Sequence, residues 1–135
     1  MTAKEFLQQY RNADREINAK LDDIHHLRET AVKVTEVLTP DKIQASRENR
    51  MEAIVAKIVD MEREVDEKID QLQEIKKQVE SAIVSVPEAR CRDVLRLRYI
   101  NGMTWEKIAV ELNFTYQWVC ILHGRALKFI RVDSN

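Results

Sequence analysis

Residues 103–130 read M-T-W-E-K-I-A-V-E-L-N-F-T-Y-Q-W-V-C-I-L-H-G-R-A-L-K-F-I. Two threonines punctuate this stretch. Thr104 precedes a run whose apolar positions, Ile108, Ala109 and Leu112, recur at helical spacing. A threonine hydroxyl at that place accepts a hydrogen bond from the first free backbone N–H groups of a helix. Ala109 is small where a crossing helix must come close. Asn113-Phe114 then makes a turn of about three to four residues, and Thr115 caps a second helix whose inward face is Val119, Leu122, Ala126, Leu127 and Ile130. Two helices joined by so short a turn, the first about nine residues long, have helix-turn-helix geometry. The second helix is expected over about residues 115–130.

Upstream, Ser85-Val86-Pro87-Glu88 has capping-box spacing, so a helix is expected to start near Pro87. Its apolar positions are Val94, Leu95, Leu97 and Ile100, with Arg90, Arg92, Arg96 and Arg98 between them, and Asn101-Gly102 ends it. Residues 87–131 thus read as a three-helix module, with residues 132–135 as a tail.

The region before the module has a different periodicity. Phe6, Tyr10, Ala13, Ile17, Leu21, Ile24, Leu27, Ala31, Val34 and Leu38 step by threes and fours. That predicts a helix of roughly 36 residues with a narrow seam. Ile54, Ile58, Met61, Val65, Ile69, Leu72, Ile75, Val79 and Ile83 make a second, matched stripe. The pair reads as an antiparallel, coiled-coil-like hairpin over residues 1–86. Between the stripes, Thr39-Pro40-Asp41 carries a helix-start signature, but the stretch after it is almost wholly polar. A short turn followed by a mobile polar connector near 39–50 is expected; a continuous helix from Pro40 is the competing reading.

Composition agrees with an all-α fold. Only two glycines and two prolines occur in 135 residues, too few for many hairpins or for phosphate-cradling loops. Residues 1–87 hold 14 Lys+Arg against 18 Asp+Glu, while residues 88–135 hold 8 against 5. The basic end permits nucleic-acid contact. Cys91 and Cys120 form no CxxC, which fits a reduced, cytoplasmic protein, and no apolar run approaches membrane-spanning length. No nucleophile–base constellation is present, so an enzyme is not expected. Cys120 and His123 have a spacing that can hold a metal, but no second pair lies nearby, and neither metal nor cofactor is expected. Gly124, inside the second helix, is open to two explanations: a close helix crossing or flexibility.

The segments V-L-R-L-R-Y, N-G-M-T-W-E-K-I-A, L-N-F-T-Y-Q-W-V and R-A-L-K resemble region four of bacterial sigma factors over about residues 88–131. The chain as a whole looks like small prophage proteins of Gram-positive bacteria, similar to the RinA/ArpU type of late-gene transcription activators; the opening M-T-A-K-E-F-L-Q-Q-Y-R and the stretch I-V-D-M-E-R-E-V-D-E-K-I-D share in this. The resemblance implies a sequence-specific, DNA-binding transcriptional regulator in the bacterial host cytoplasm. Thr115, Tyr116, Gln117, Trp118, Cys120 and Ile121 would face the major groove. Arg125 would meet a phosphate, and Arg98, Thr104 and Trp105 would touch backbone.

The residues qualify this. Tyr116, Trp118, Cys120 and Ile121 stand where sigma modules carry Arg or Glu, so only Gln117 offers a bidentate base contact, and the salt dependence should be shallow. Trp118 is expected to be exposed, while Trp105 divides evenly between packing and contact. Double-stranded DNA is the expected partner, with a homodimer built through the hairpin. RNA polymerase or another regulator, bound through the apolar face of the head, is the alternative. A purely structural coiled coil is the third reading.

Overall fold

The computed structural model describes the backbone of residues 1–36 and 41–132 and the side chains of residues 1–34 and 46–132. Five helices occur in these residues, with no strand among them: α1 (Ala3–Glu36), α2 (Asp41–Val84), α3 (Ala89–Leu95), α4 (Trp105–Leu112) and α5 (Tyr116–Leu127). A π-helical turn, Arg96–Ile100, prolongs α3. The all-α fold, two long helices followed by a three-helix module, is the one expected.

The polar stretch after Asp41 is helical, not a connector. Gln, Ala, Arg, Glu and Lys are good helix formers whether or not they bury anything. Propensity therefore carries α2 through residues 41–50, which corrects the expected connector. Thr39 and Pro40, on which the start signal was read, lie outside the described residues. A capping box does occur, but at Thr2–Glu5. Glu5 N–H donates to Thr2 Oγ1 at 3.1 Å, and Thr2 N–H donates to Glu5 Oε2 at 3.3 Å. The box expected at Ser85–Glu88 does not form. Ser85 Oγ instead donates to the Ala82 carbonyl at 2.6 Å, and Glu88, although it precedes α3, makes no side-chain cap.

The chain divides into two compact units that do not part at residue 86/87. One comprises Met1–Asp14 with Gln71–Asn135, the other Arg15–Asp70. In the second unit, Ile17, Ile24, Val34 and Val65 are buried along the seam. Two reciprocal ion pairs fix an antiparallel register: Lys68 to Glu16 at 2.7 Å and Lys20 to Glu64 at 3.0 Å. Arg28 pairs with Glu62 further along. Leu21, expected on the seam, is exposed. Half-buried Lys20 takes the inward place next to it, its aliphatic stem covered and its ammonium reaching across to Glu64.

The first unit holds one continuous core. Leu7, Val79, Ile83 and Val86 from the base of the hairpin are buried together with Cys91, Val94, Leu95, Tyr99, Ile108, Ala109, Val119, Leu122, Ala126 and Ile130. Leu7, outside the expected stripe, is fully buried because the start of α1 contributes to this shared core. The π-turn changes the register of α3. Asn101 N–H reaches back five residues to the Arg96 carbonyl at 3.1 Å. Tyr99 is thereby turned inward to 1% exposure, while Leu97 and Ile100, expected in the core, are only partly covered.

A fragment starting at residue 86 would lack part of its own core. Leu7→Ala is therefore expected to destabilise the helix-turn-helix by about 2–5 kcal/mol, as a buried Leu→Ala does. Trp105 and Trp118, the two tryptophans of the chain, both lie in the module. Their fluorescence melt should fall in Leu7→Ala about as far as in Leu95→Ala.

Candidate nucleic-acid interface

Both threonines act as read from the sequence. Lys107 N–H donates to Thr104 Oγ1 at 3.2 Å and Trp118 N–H donates to Thr115 Oγ1 at 3.1 Å, so α4 and α5 start where they must. Between them Asn113 takes the left-handed conformation, φ 58°, and the Phe114 N–H closes on the Ala109 carbonyl at 2.9 Å. This is the helix-ending geometry that lets a chain reverse in so few residues. Ala109 is buried at the crossing. The preceding turn needs its glycine: Gly102 has φ 70°, and a Cβ there would lie 2.3 Å from the Arg11 guanidinium carbon.

α5 buries Val119, Leu122 and Ala126 and turns its other side outward. Tyr116, Gln117, Cys120, Ile121 and Arg125 are exposed together on that outer side. Gln117, Ile121, Gly124 and Lys128 follow one another at steps of four, three and four, a single line along the helix. Lys128 was not among the candidate residues read from the sequence, although this spacing points to it. Lys107, Lys128 and Arg131 are exposed and form no ion pair among the described residues.

Other candidate residues are committed within the protein. Arg98 is half-buried; its Nη1 donates to the Met103 carbonyl at 2.9 Å and its guanidinium stacks 4.4 Å from the Trp105 ring. The Trp105 ring centre lies 4.5 Å from that of His123, the rings tilted by 60°, so this tryptophan lies between Arg98 and the core. Thr104 is exposed beside it, its oxygen engaged in the cap. Trp118, expected to be exposed, is partly buried against the core, with Arg125 5.4 Å from its ring centre. Its ring packs beside the face that Val119 and Leu122 bury.

His123 does not pair with Cys120. Its Nε2 lies 2.7 Å from the Tyr99 hydroxyl, while Cys120 is exposed. Burial pushes the Tyr99 hydroxyl up to about 12. Burial, then the charges of Lys4 and Arg98, push His123 down to about 4. The other cysteine, Cys91 on α3, is buried, with its Sγ 3.6 Å from the Leu122 carbonyl of α5; burial raises its thiol above the usual range. No group of three His, Cys, Asp or Glu that could hold a metal occurs among the described residues. No helix among them is long and apolar enough to cross a membrane.

The capped helix pair, its short left-handed turn and the exposed outer side of the second helix define a helix-turn-helix module. Residues 88–132, a third of the chain, match the family model Sigma-70, region 4, a DNA-binding regulatory module rather than an enzymatic one. No curated protein and no solved structure matches the chain.

Two stability measurements follow from this geometry. A Cβ on Gly124 would meet nothing within 4 Å, so no close helix crossing requires this glycine. Gly124→Ala should raise stability by roughly 1 kcal/mol, read as a higher melting temperature. His123 stays neutral in the folded protein down to about pH 4, whereas an unfolded histidine takes its proton near 6.5. The unfolded chain thus binds the extra proton in that window, and stability should fall as pH drops from 6.5 towards 4. The difference in melting temperature between wild type and His123→Gln should narrow over that window and stay constant above it.

Proposed function

We propose that the protein is a sequence-specific, DNA-binding transcriptional regulator of phage or prophage type, with residues 87–131 as the reading head and α5 in the major groove. The observation that carries this reading is the exposure of Tyr116, Gln117, Cys120, Ile121 and Arg125 on the second helix of a segment matching sigma region 4. Gln117 has the donor and acceptor for a bidentate contact with adenine, and Ile121 suits a thymine methyl. Arg125, Lys128 and Arg131 supply positive charge near them. The likeness of the whole chain to small prophage proteins supports the phage assignment and, with it, a cytoplasmic place in a bacterial host.

The hairpin serves in this reading as a dimerisation element. Among the described side chains of its unit Arg15–Asp70, four apolar ones are buried, and Leu21, Val55 and Val59 remain exposed. A second copy would cover such side chains and present two heads to two half-sites.

A second reading is favoured by a different observation. Val110 on α4 is 82% exposed, Ile121 is 53% exposed, and Arg98 is spent on Trp105. An apolar head surface with little free positive charge suits a protein partner, and RNA polymerase or another regulator is the partner this reading names.

Selection from random duplex DNA by the full-length protein, at low and near-physiological salt, tests the two. The first reading expects a recovered motif, with paired half-sites if the protein is a dimer. Gln117→Ala should then relax the preference at one position by about 1–3 kcal/mol, and Arg125→Ala should weaken all sequences about equally. No enrichment at either salt, with a polymerase pull-down that Val110→Glu abolishes, would leave the second reading.

A further inference from the structure

Arg125 stands beside the exposed line of α5, yet it is not an unoccupied cation. Its Nη1 donates to both carboxylate oxygens of Glu88, at 3.2 Å each, across from the start of α3. The guanidinium is held from a second direction by the Trp118 ring at 5.4 Å. Glu88 is committed in turn: the Arg125 hydrogen bond keeps its carboxyl below the usual range, and the Cys91 thiol also donates to it at 3.5 Å. This is the same glutamate whose spacing predicted a helix cap and which makes none.

A guanidinium recognises a carboxylate and a phosphate through the same N–H donors. We propose that Glu88 limits the affinity of the head for DNA, standing in for a DNA phosphate at Arg125; this rests on the reading of α5 as the helix that meets DNA. Any duplex that brings a phosphate to Arg125 must displace or share an anion already in place, and must approach a negative charge to do so. The gain from that backbone contact is offset on every sequence alike. Discrimination is left to the base-facing Gln117 and Ile121, which carry no such internal competitor. The competition thus lowers affinity for right and wrong sites alike and leaves the gap between them to those two side chains. Lys107, Lys128 and Arg131, exposed and without an ion pair among the described residues, keep the sequence-independent attraction that brings the head to DNA at all.

The probe is a labelled mixed-sequence duplex of about 20 base pairs, titrated with full-length protein between about 50 and 200 mM salt. Wild type, Glu88→Gln, Arg125→Ala and the double variant are compared, each checked by its thermal melt. Glu88→Gln should bind on the order of several-fold more tightly than wild type, with a salt slope steeper by about one phosphate contact. That gain should vanish in the Arg125→Ala background. An equal gain in both backgrounds would mean a general charge effect and overturn the proposal. Weaker binding by a normally folded Glu88→Gln would overturn it too, since Glu88 would then be orienting Arg125 rather than competing for it. Either result leaves the DNA reading standing. If no variant binds the duplex at the lower salt, the DNA reading falls and the proposal with it.

Discussion

Burial of Leu7, Val79, Ile83 and Val86 against Val94, Leu95 and Tyr99 is the contact on which the module depends. A three-helix head of this size has little apolar surface to bury by itself, and small domains are marginal for that reason. Here the base of the hairpin supplies the missing wall. Val86 closes the junction, fully buried, with its carbonyl taking the Arg92 guanidinium at 2.6 Å. The helix-turn-helix and the base of α1 and α2 are therefore one folding unit, and α5 presents its outer side from a support that extends back to the first turn of the chain.

The same compactness consumes charge. Of the arginines in the basic third, Arg92 serves the Val86 carbonyl, Arg98 the Met103 carbonyl and the Trp105 ring, Arg96 lies 4.0 Å from Glu80, and Arg125 meets Glu88. A count of basic residues thus overstates the positive field available to a phosphate backbone. The sequence already suggested a weak electrostatic component, because apolar residues replace charged ones along α5. The structure adds a second cause: the arginines that do occur are largely engaged inside the protein. What remains exposed on α5 is a short line of Gln117, Ile121 and Lys128 with Arg125 at its side.

The elements that were legible share a property. Thr104, Thr115 and Asn113 act on backbone groups within a few residues, so their roles follow from local chemistry and could be read without a fold. The second apolar stripe also held: Ile58 is partly covered and Val65 buried in one unit, and Val79 and Ile83 are buried in the other, at helical spacing. The misreadings have equally physical causes. Residues 41–50 were judged by their polarity, although helix propensity needs no burial. Tyr99 was missed because a π-turn changes register in a way that no 3.6-residue count anticipates. Trp118 and Leu7 were misplaced because they answer to neighbours distant in sequence.

By itself, the sequence determined the two long apolar stripes, where α4 and α5 begin and turn, and that Tyr116, Gln117, Cys120 and Ile121 share the outer side of α5. Those features depend on caps, periodicity and backbone conformation, all of which are short-range. The tertiary structure alone decided that the hairpin base completes the core of the head, that His123 belongs to Tyr99 rather than to Cys120, and that Glu88 turns from its own helix to Arg125. Each of these joins residues far apart in the chain. Local spacing carries no information about such contacts until packing brings the side chains together.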